Sequence, residues 1–159
     1  MTAIAMALAT VAIGSPDLGP AWAEFSRNAG LRDFLERVEV GTLSHGRGES
    51  HYWLRRTVRE AGRETVTWAD SRTCPAVRAV LAGMGDINMH AAPHGSTEGG
   101  AIVLHGVAYT LRAPARSGPQ YGEITVRANV DTPLTRWGAA SFSSLRSCWT
   151  DAPPEPVGR

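Results

Sequence analysis

The sequence predicts an α+β fold, an antiparallel sheet with helices packed on one face. Two observations carry this prediction. Several short segments alternate apolar and polar residues with a period of two, as strands with one buried face do. At Cys74-Pro75 and Thr132-Pro133 a turn residue precedes a proline and apolar residues then recur at helical spacing, which marks a helix start. Each half of the chain therefore reads as strands followed by a capped helix. That suggests a finer version of the fold, two β-β-β-α units in tandem.

Taken in order, the chain opens on an uncharged apolar run at residues 3–14, broken by Gly14, Ser15 and Pro16. It is too short to span a bilayer, which takes ~20 residues. Ala21 and Ala23 supply the small-x-small pattern of signal-peptide cleavage, so residues 1–23 are expected to be a signal peptide. No arginine precedes the run, and the competing reading is a buried N-terminal helix. Leu31, Phe34, Leu35 and Val38 fall at i, i+3, i+4 and i+7, and the spacing predicts a helix from about Asn28 or Gly30 to Val38.

Val38 and Val40 then flank Glu39 in strand fashion, and His45-Gly46-Arg47-Gly48 reads as a turn. Residues 50–60 form a strand with Tyr52, Leu54 and Val58 on one face and His51, Trp53, Arg55, Thr57 and Arg59 on the other. Ala61-Gly62 turns the chain into a second strand at 64–69. A helix follows, capped by Thr73 or Cys74, lined by Val77, Val80, Leu81 and Met84, and ended by Gly83 and Gly85. Residues 85–100 read as a loop longer than usual connections.

After a short apolar run at 101–104, Val107, Tyr109 and Leu111 alternate as a strand, and residues 114–119 read as a turn between two prolines. Ile124, Val126, Ala128 and Val130 give the cleanest alternation of the chain. The last helix presents Leu134, Trp137, Ser141, Leu145 and Cys148 on one side, with Phe142 and Trp149 flanking. The single domain is expected over 24–151, and the Pro-rich tail at 152–159 is expected to be disordered.

The whole chain is 159 residues and 17.0 kDa, the size of one domain. With 43% hydrophobic and 19% charged residues the composition is that of a globular protein. The net charge of +1 provides no overall field to attract nucleic acid or membrane, and no nucleic-acid partner is expected. All 16 basic residues are arginine. The absence of lysine excludes the Walker A phosphate loop, the kinase strand lysine, and Schiff-base or pyridoxal chemistry.

Cys74 and Cys148 are an even pair without CxxC or metal-ligand spacing. In an oxidising compartment they would form a disulfide, worth about 4–5 kcal/mol in the chain-entropy picture. In a reducing compartment they would be two separate thiols. The pair and the apolar leader together point to a periplasmic or secreted protein with no transmembrane segment once the signal is removed.

Three constellations bear on chemistry. His90, His94 and His105 lie close together with Asp86 and Glu98 nearby, the residue types of a zinc or copper site, but with Pro93 and Gly95 in a loop the HxxxH spacing of His90 and His94 carries no helical geometry to rely on, and no HExxH occurs. Neither a G-x-S-x-G elbow nor a distinctive carboxylate pair marks a hydrolase; Asp70 and Asp131 read better as residues of the turns before helices. The face carrying His51, Trp53, Arg55 and Arg59 is the candidate contact surface, because an exposed Trp among Arg suits an anionic, sugar or protein ligand.

These readings converge on a small exported protein, non-enzymatic and without a cofactor. It is expected to act as a binding or interaction module of the cell envelope. The alternative is a small hydrolase or metal-binding protein using the His90/His94/His105 region.

Overall fold

The computed structural model describes residues 18–30, 32–44, 49–87, 106–117, 119–129 and 131–156. Among these, six strands form one antiparallel sheet accompanied by two helices. The strands are β1 (Ala21–Ala29), β2 (Phe34–Ser44), β3 (His51–Glu60), β4 (Arg63–Asp70), β5 (Val107–Ser117) and β6 (Gln120–Ala128). The helices are α1 (Ala76–Gly85), after β4, and α2 (Pro133–Ser144), after β6. The sheet order is β4-β3-β2-β1-β5-β6, so β1 and β2 are its centre.

The helix expected from Asn28 or Gly30 to Val38 is instead the turn and second strand of the β1–β2 hairpin. Arg32 N–H bonds Ala29 O at 2.8 Å to close the turn, and Phe25 pairs with Val38 across the strands. The buried positions of β2 are Glu36, Val38, Val40 and Gly41. A buried glutamate breaks the apolar alternation, and the i, i+3, i+4, i+7 match of Leu31 to Val38 is a coincidence of short spacing. β1 is hidden for a related reason: its inward positions are Ala23, Phe25 and Arg27, small or charged residues that carry no clear period.

The β3–β4 hairpin is where the alternation predicts it. Its two turn residues, Ala61 and Gly62, both have left-handed backbones, with φ of 49° and 73°. That is the mirror-image turn whose twist matches the strands. Asp33 braces it from the β2 side, its carbonyl accepting from Ala61 N–H at 3.1 Å and its carboxylate from Gly62 N–H at 3.2 Å. An alanine in the left-handed region carries Cβ strain of roughly 1 kcal/mol. Ala61→Asn is expected to raise stability by about 0.5–1 kcal/mol, read as a higher urea midpoint at unchanged slope. A lower midpoint would mean that this turn is not strained at position 61.

Helix α1 buries Val77 and Val80 and packs Leu81 and Met84 against the core. Neither expected cap operates. Pro75 occupies the N-cap position with no side-chain cap bond, and the Thr73 hydroxyl donates instead to Asp70 O at 3.3 Å. Helix α2 starts as its sequence indicates: Thr132 caps, Pro133 is the first helical residue, and Thr132 and Thr135 form a reciprocal capping box. Gly138 of α2 lies where a Cβ would crowd the Tyr109 ring on β5, so a side chain there would push helix and sheet apart.

The turn expected at 114–119 is shorter. β5 runs on through Pro114, which pairs with Glu123 of β6. The β1–β5 pairing ends at Glu24↔Arg112, so among the described residues no strand pairs with β5 on that side at Pro114, and its missing N–H interrupts no ladder there.

One core cluster joins sheet residues Phe25, Val38, Val40, Leu54 and Leu111 to Val77 and Val80 of α1 and Leu134 and Phe142 of α2. Cys74 and Cys148 form a disulfide with Cα atoms 5.7 Å apart, tying the start of α1 to the chain just beyond α2. A second, smaller cluster of Leu18, Trp53 and Trp68 sits across the sheet from Leu54.

Two boundary expectations meet structure. Cleavage after Ala23 falls inside β1, whose Ala21 and Ala23 pair with Gly41 and Val40. Of the tail expected to be disordered, residues 152–156 are described; Thr150 just before them pairs with Trp68 through two main-chain bonds of 2.8 Å, and Arg72 Nη2 donates to Glu155 O at 2.9 Å. The described elements run as four strands and a helix, then two strands and a helix. No helix among them is long and apolar enough to cross a membrane.

A candidate anion-binding cleft

The most chemically specific arrangement is built on the three strands β1, β2 and β3. Arg27 stands directly opposite Glu36 in the β1–β2 register, and Arg56 of β3 lies opposite Val38, one diagonal step from Glu36. Alternation turns all three toward the same side as Phe25, Val38 and Leu54, and diagonal neighbours on a sheet are within reach of long side chains. Glu36 is the buried member, its side chain 3% exposed. Its Oε2 accepts from Arg27 Nε at 2.6 Å and its Oε1 from Arg56 Nε at 2.5 Å. A carboxylate this deep must be paired, and two charge-assisted bonds do so.

Aromatic rings fix the two guanidiniums from the other side. Arg27 lies 4.7 Å from the centroid of the Phe142 ring and 5.6 Å from that of Phe34, while Arg56 lies 5.4 Å from that of Trp149. These are cation–π distances. Phe142 comes from the last turn of α2 and Trp149 from the segment just past Cys148. Arg146 and Ser143 complete a cleft of about 230 Å³ between the sheet and the end of α2.

Among the described residues the cleft holds three guanidiniums against the single carboxylate of Glu36. The C-terminal end of α2 subtracts roughly half a charge, and the surroundings remain cationic. Arg27 and Arg56 are about a third exposed, at 35% and 28%, so their outer edges face solvent. Among the described residues the Arg146 side chain has no ion-pair partner. Donors are therefore present, oriented and only partly used. This can hold an anion by forked hydrogen bonds.

The sequence-predicted contact residues lie elsewhere and are not brought together as one exposed face. Trp53, expected to be an exposed anchor, is 5% exposed. Its indole lies over Gly41, where any Cβ would overlap the ring, and its Nε1–H donates to Leu18 O at 3.0 Å. Leu18 covers it from 35 positions away, which alternation along β3 does not reveal. Arg55 pairs with Glu39 at 3.3 Å and lies 5.9 Å from the centroid of the Trp68 ring. On the same face Arg37 Nε, Arg55 Nε and Thr57 Oγ1 are buried with no hydrogen-bond partner among the described residues. Arg59 is exposed near the hairpin end, and His51, at the other end of β3, has Nδ1 3.1 Å from Arg78 Nη2.

His90, His94, His105 and Glu98 lie outside the described residues. Among those described, no three His, Cys, Asp or Glu side chains gather as a metal-ligand set. Asp70 receives Arg72 Nε at 2.7 Å as part of the turn before α1, and that hydrogen bond raises the Arg72 pKa against the opposing effect of burial. Asp131 pairs with Arg136 at 2.6 Å at the start of α2. Both are turn residues, as expected from their positions.

Sequence reasoning missed Arg27, Glu36, Arg146 and Trp149 as a group. The one available signal was a glutamate at an inward position of a Val38/Val40 strand, flanked by arginines at inward positions of its neighbours; it becomes visible only once the register is known. No family model matches the chain, and no curated protein or solved structure is significantly similar to it.

Proposed function

We propose that this chain is a small exported, non-enzymatic binding module of the cell envelope, and that the cleft formed by Arg27, Arg56, Arg146 and Trp149 takes an anionic ligand. The observation that carries this reading is the surplus of oriented guanidiniums around one buried carboxylate in an open cleft. Glu36 alone would satisfy one arginine; recruiting a second, with a third beside it that has no ion-pair partner among the described residues, suits an incoming anion. Both helices contribute buried residues to the cluster that contains Phe25, Val38 and Leu54, which supports reading them as packed on one face of the sheet.

The test is calorimetric titration at low ionic strength with a panel of small carboxylates and oxyanions. Binding is expected, and Arg146→Glu is expected to weaken it at least tenfold, because Arg146 is exposed and reversal of its charge reaches the cleft without touching the core. A chain that binds no anion in the panel would end this reading.

Export is supported by the apolar run at 3–14 and by the disulfide. The packing of Leu18 on Trp53 and of Ala21 and Ala23 on β2 favours a cut ahead of residue 18. Ala12-Ile13-Gly14 offers a second small-x-small pattern there. The intact mass of protein made with its native N-terminus in a diderm bacterium is expected to correspond to a chain starting at Ser15. A start at Glu24 would restore the first boundary, and an uncut chain would sink export.

A further inference from the structure

We infer that the ligand of this cleft is a phosphate group, either inorganic or carried as a monoester, and not a carboxylate; the inference rests on the anion-binding reading above. Three features of the cleft point to it. The first is charge. Among the described residues, three guanidiniums less Glu36, and less the partial negative charge at the end of α2, leave an excess between one and two. A phosphate monoester carries about −1.5 to −2 at neutral pH, against −1 for a carboxylate.

The second is donor geometry. A carboxylate presents two oxygens in one plane, which a single guanidinium fork satisfies. Here Glu36 already takes Nε and Nη2 of Arg27 and Nε of Arg56, and the remaining donors come from three separate side chains around the cleft. Guanidiniums from three side chains line the cleft, enough to give one to each of the three terminal oxygens of a tetrahedral phosphate.

The third is size and lining. At about 230 Å³ the cleft is below the range of roughly 300–1,000 Å³ usual for drug-sized ligands. It admits a phosphate and a small organic part, and Trp149, whose ring carries the Arg56 guanidinium, lines the cleft beside that part.

The experiment compares four probes on the full chain by calorimetry at neutral pH and low ionic strength: inorganic phosphate, phenyl phosphate, benzoate, and vesicles of phosphatidylcholine with or without phosphatidic acid. Phenyl phosphate is expected to bind about tenfold or more tightly than benzoate, a carboxylate control on the same aromatic ring. Arg146→Gln is expected to weaken phenyl phosphate and inorganic phosphate alike, and Trp149→Ala to weaken phenyl phosphate more than inorganic phosphate. Binding of phosphatidic-acid vesicles together with phenyl phosphate would support the inference and identify a lipid headgroup as a source. Vesicle binding without any response to phenyl phosphate would overturn it, as would equal binding of benzoate and phenyl phosphate. In that last case the anion-binding reading stands and only the ligand class falls. If no probe binds at all, both fall together.

Discussion

Replacing Cys74 and Cys148 together by alanine is expected to lower the stability of the chain by about 4 kcal/mol. The bridge closes a sequence separation of 74, long enough for the chain-entropy effect to be near its practical maximum. Within that loop lie α1, β5, β6 and α2, so the reduced unfolded chain regains the freedom of the whole second half. In the folded state the bridge joins the approach to α1 with the segment that leads to Trp149 and Thr150. Thr150 is held on its own account by the two main-chain bonds to Trp68. The double variant should therefore keep its sheet while unfolding at a much lower urea concentration. Urea unfolding followed by far-ultraviolet circular dichroism, for the oxidised wild type and the double alanine variant, measures the difference. A loss below about 1 kcal/mol would show that the bridge does not restrain the unfolded chain as loop closure requires.

Glu36→Gln is expected to cost about 2–3 kcal/mol. The buried carboxylate accepts from both Arg27 and Arg56; an amide is neutral, and turns an N–H₂ donor toward guanidiniums that are donors only. Removing one partner of a fully buried ion pair costs roughly 3–5 kcal/mol. The figure here is reduced because the two arginines are about a third exposed and water screens part of the loss. A useful contrast replaces the whole group, Arg27→Met, Glu36→Leu and Arg56→Met. Well-packed apolar substitutes for an entire buried ionic cluster are often neutral, so the triple variant should lie within about 1 kcal/mol of wild type while losing anion binding. If Glu36→Gln were as stable as wild type, the carboxylate would not be what holds the two guanidiniums in place. If the triple variant were far less stable than Glu36→Gln, the cluster would be a structural element rather than a binding one.

The contrast between legible and illegible parts of the chain is clearest in neighbouring strands. Tyr52, Leu54 and Val58 alternate on β3, and Val66 and Trp68 on β4, so that hairpin could be read without its partners. The same rule fails on β1 and β2 because their inward positions include Arg27 and Glu36, which in a sequence look like solvated charges. The two charges are tolerated inside only because each neutralises the other across the register, and register is a relation between strands. Trp53 failed in the opposite direction. Its place on the polar face of β3 made it look exposed, but Leu18, on a segment assigned to the leader, folds over it and takes its indole N–H.

By itself the sequence determined the local elements whose signals lie within a dozen residues: the β3–β4 hairpin, the two helices with their prolines, the alternation of β6, and the two cysteines free of any metal-ligand spacing. Only the tertiary structure decided what depends on distant partners. It set the sheet order that puts β1 and β2 at the centre, paired Cys74 with Cys148, buried Trp53, and gathered Arg27, Glu36, Arg56, Arg146 and Trp149 around one cleft. The physical reason is that periodicity and capping are written into neighbouring residues. The environment of a charged or aromatic side chain is instead set by whichever segment packs against it, however far away that segment lies along the chain.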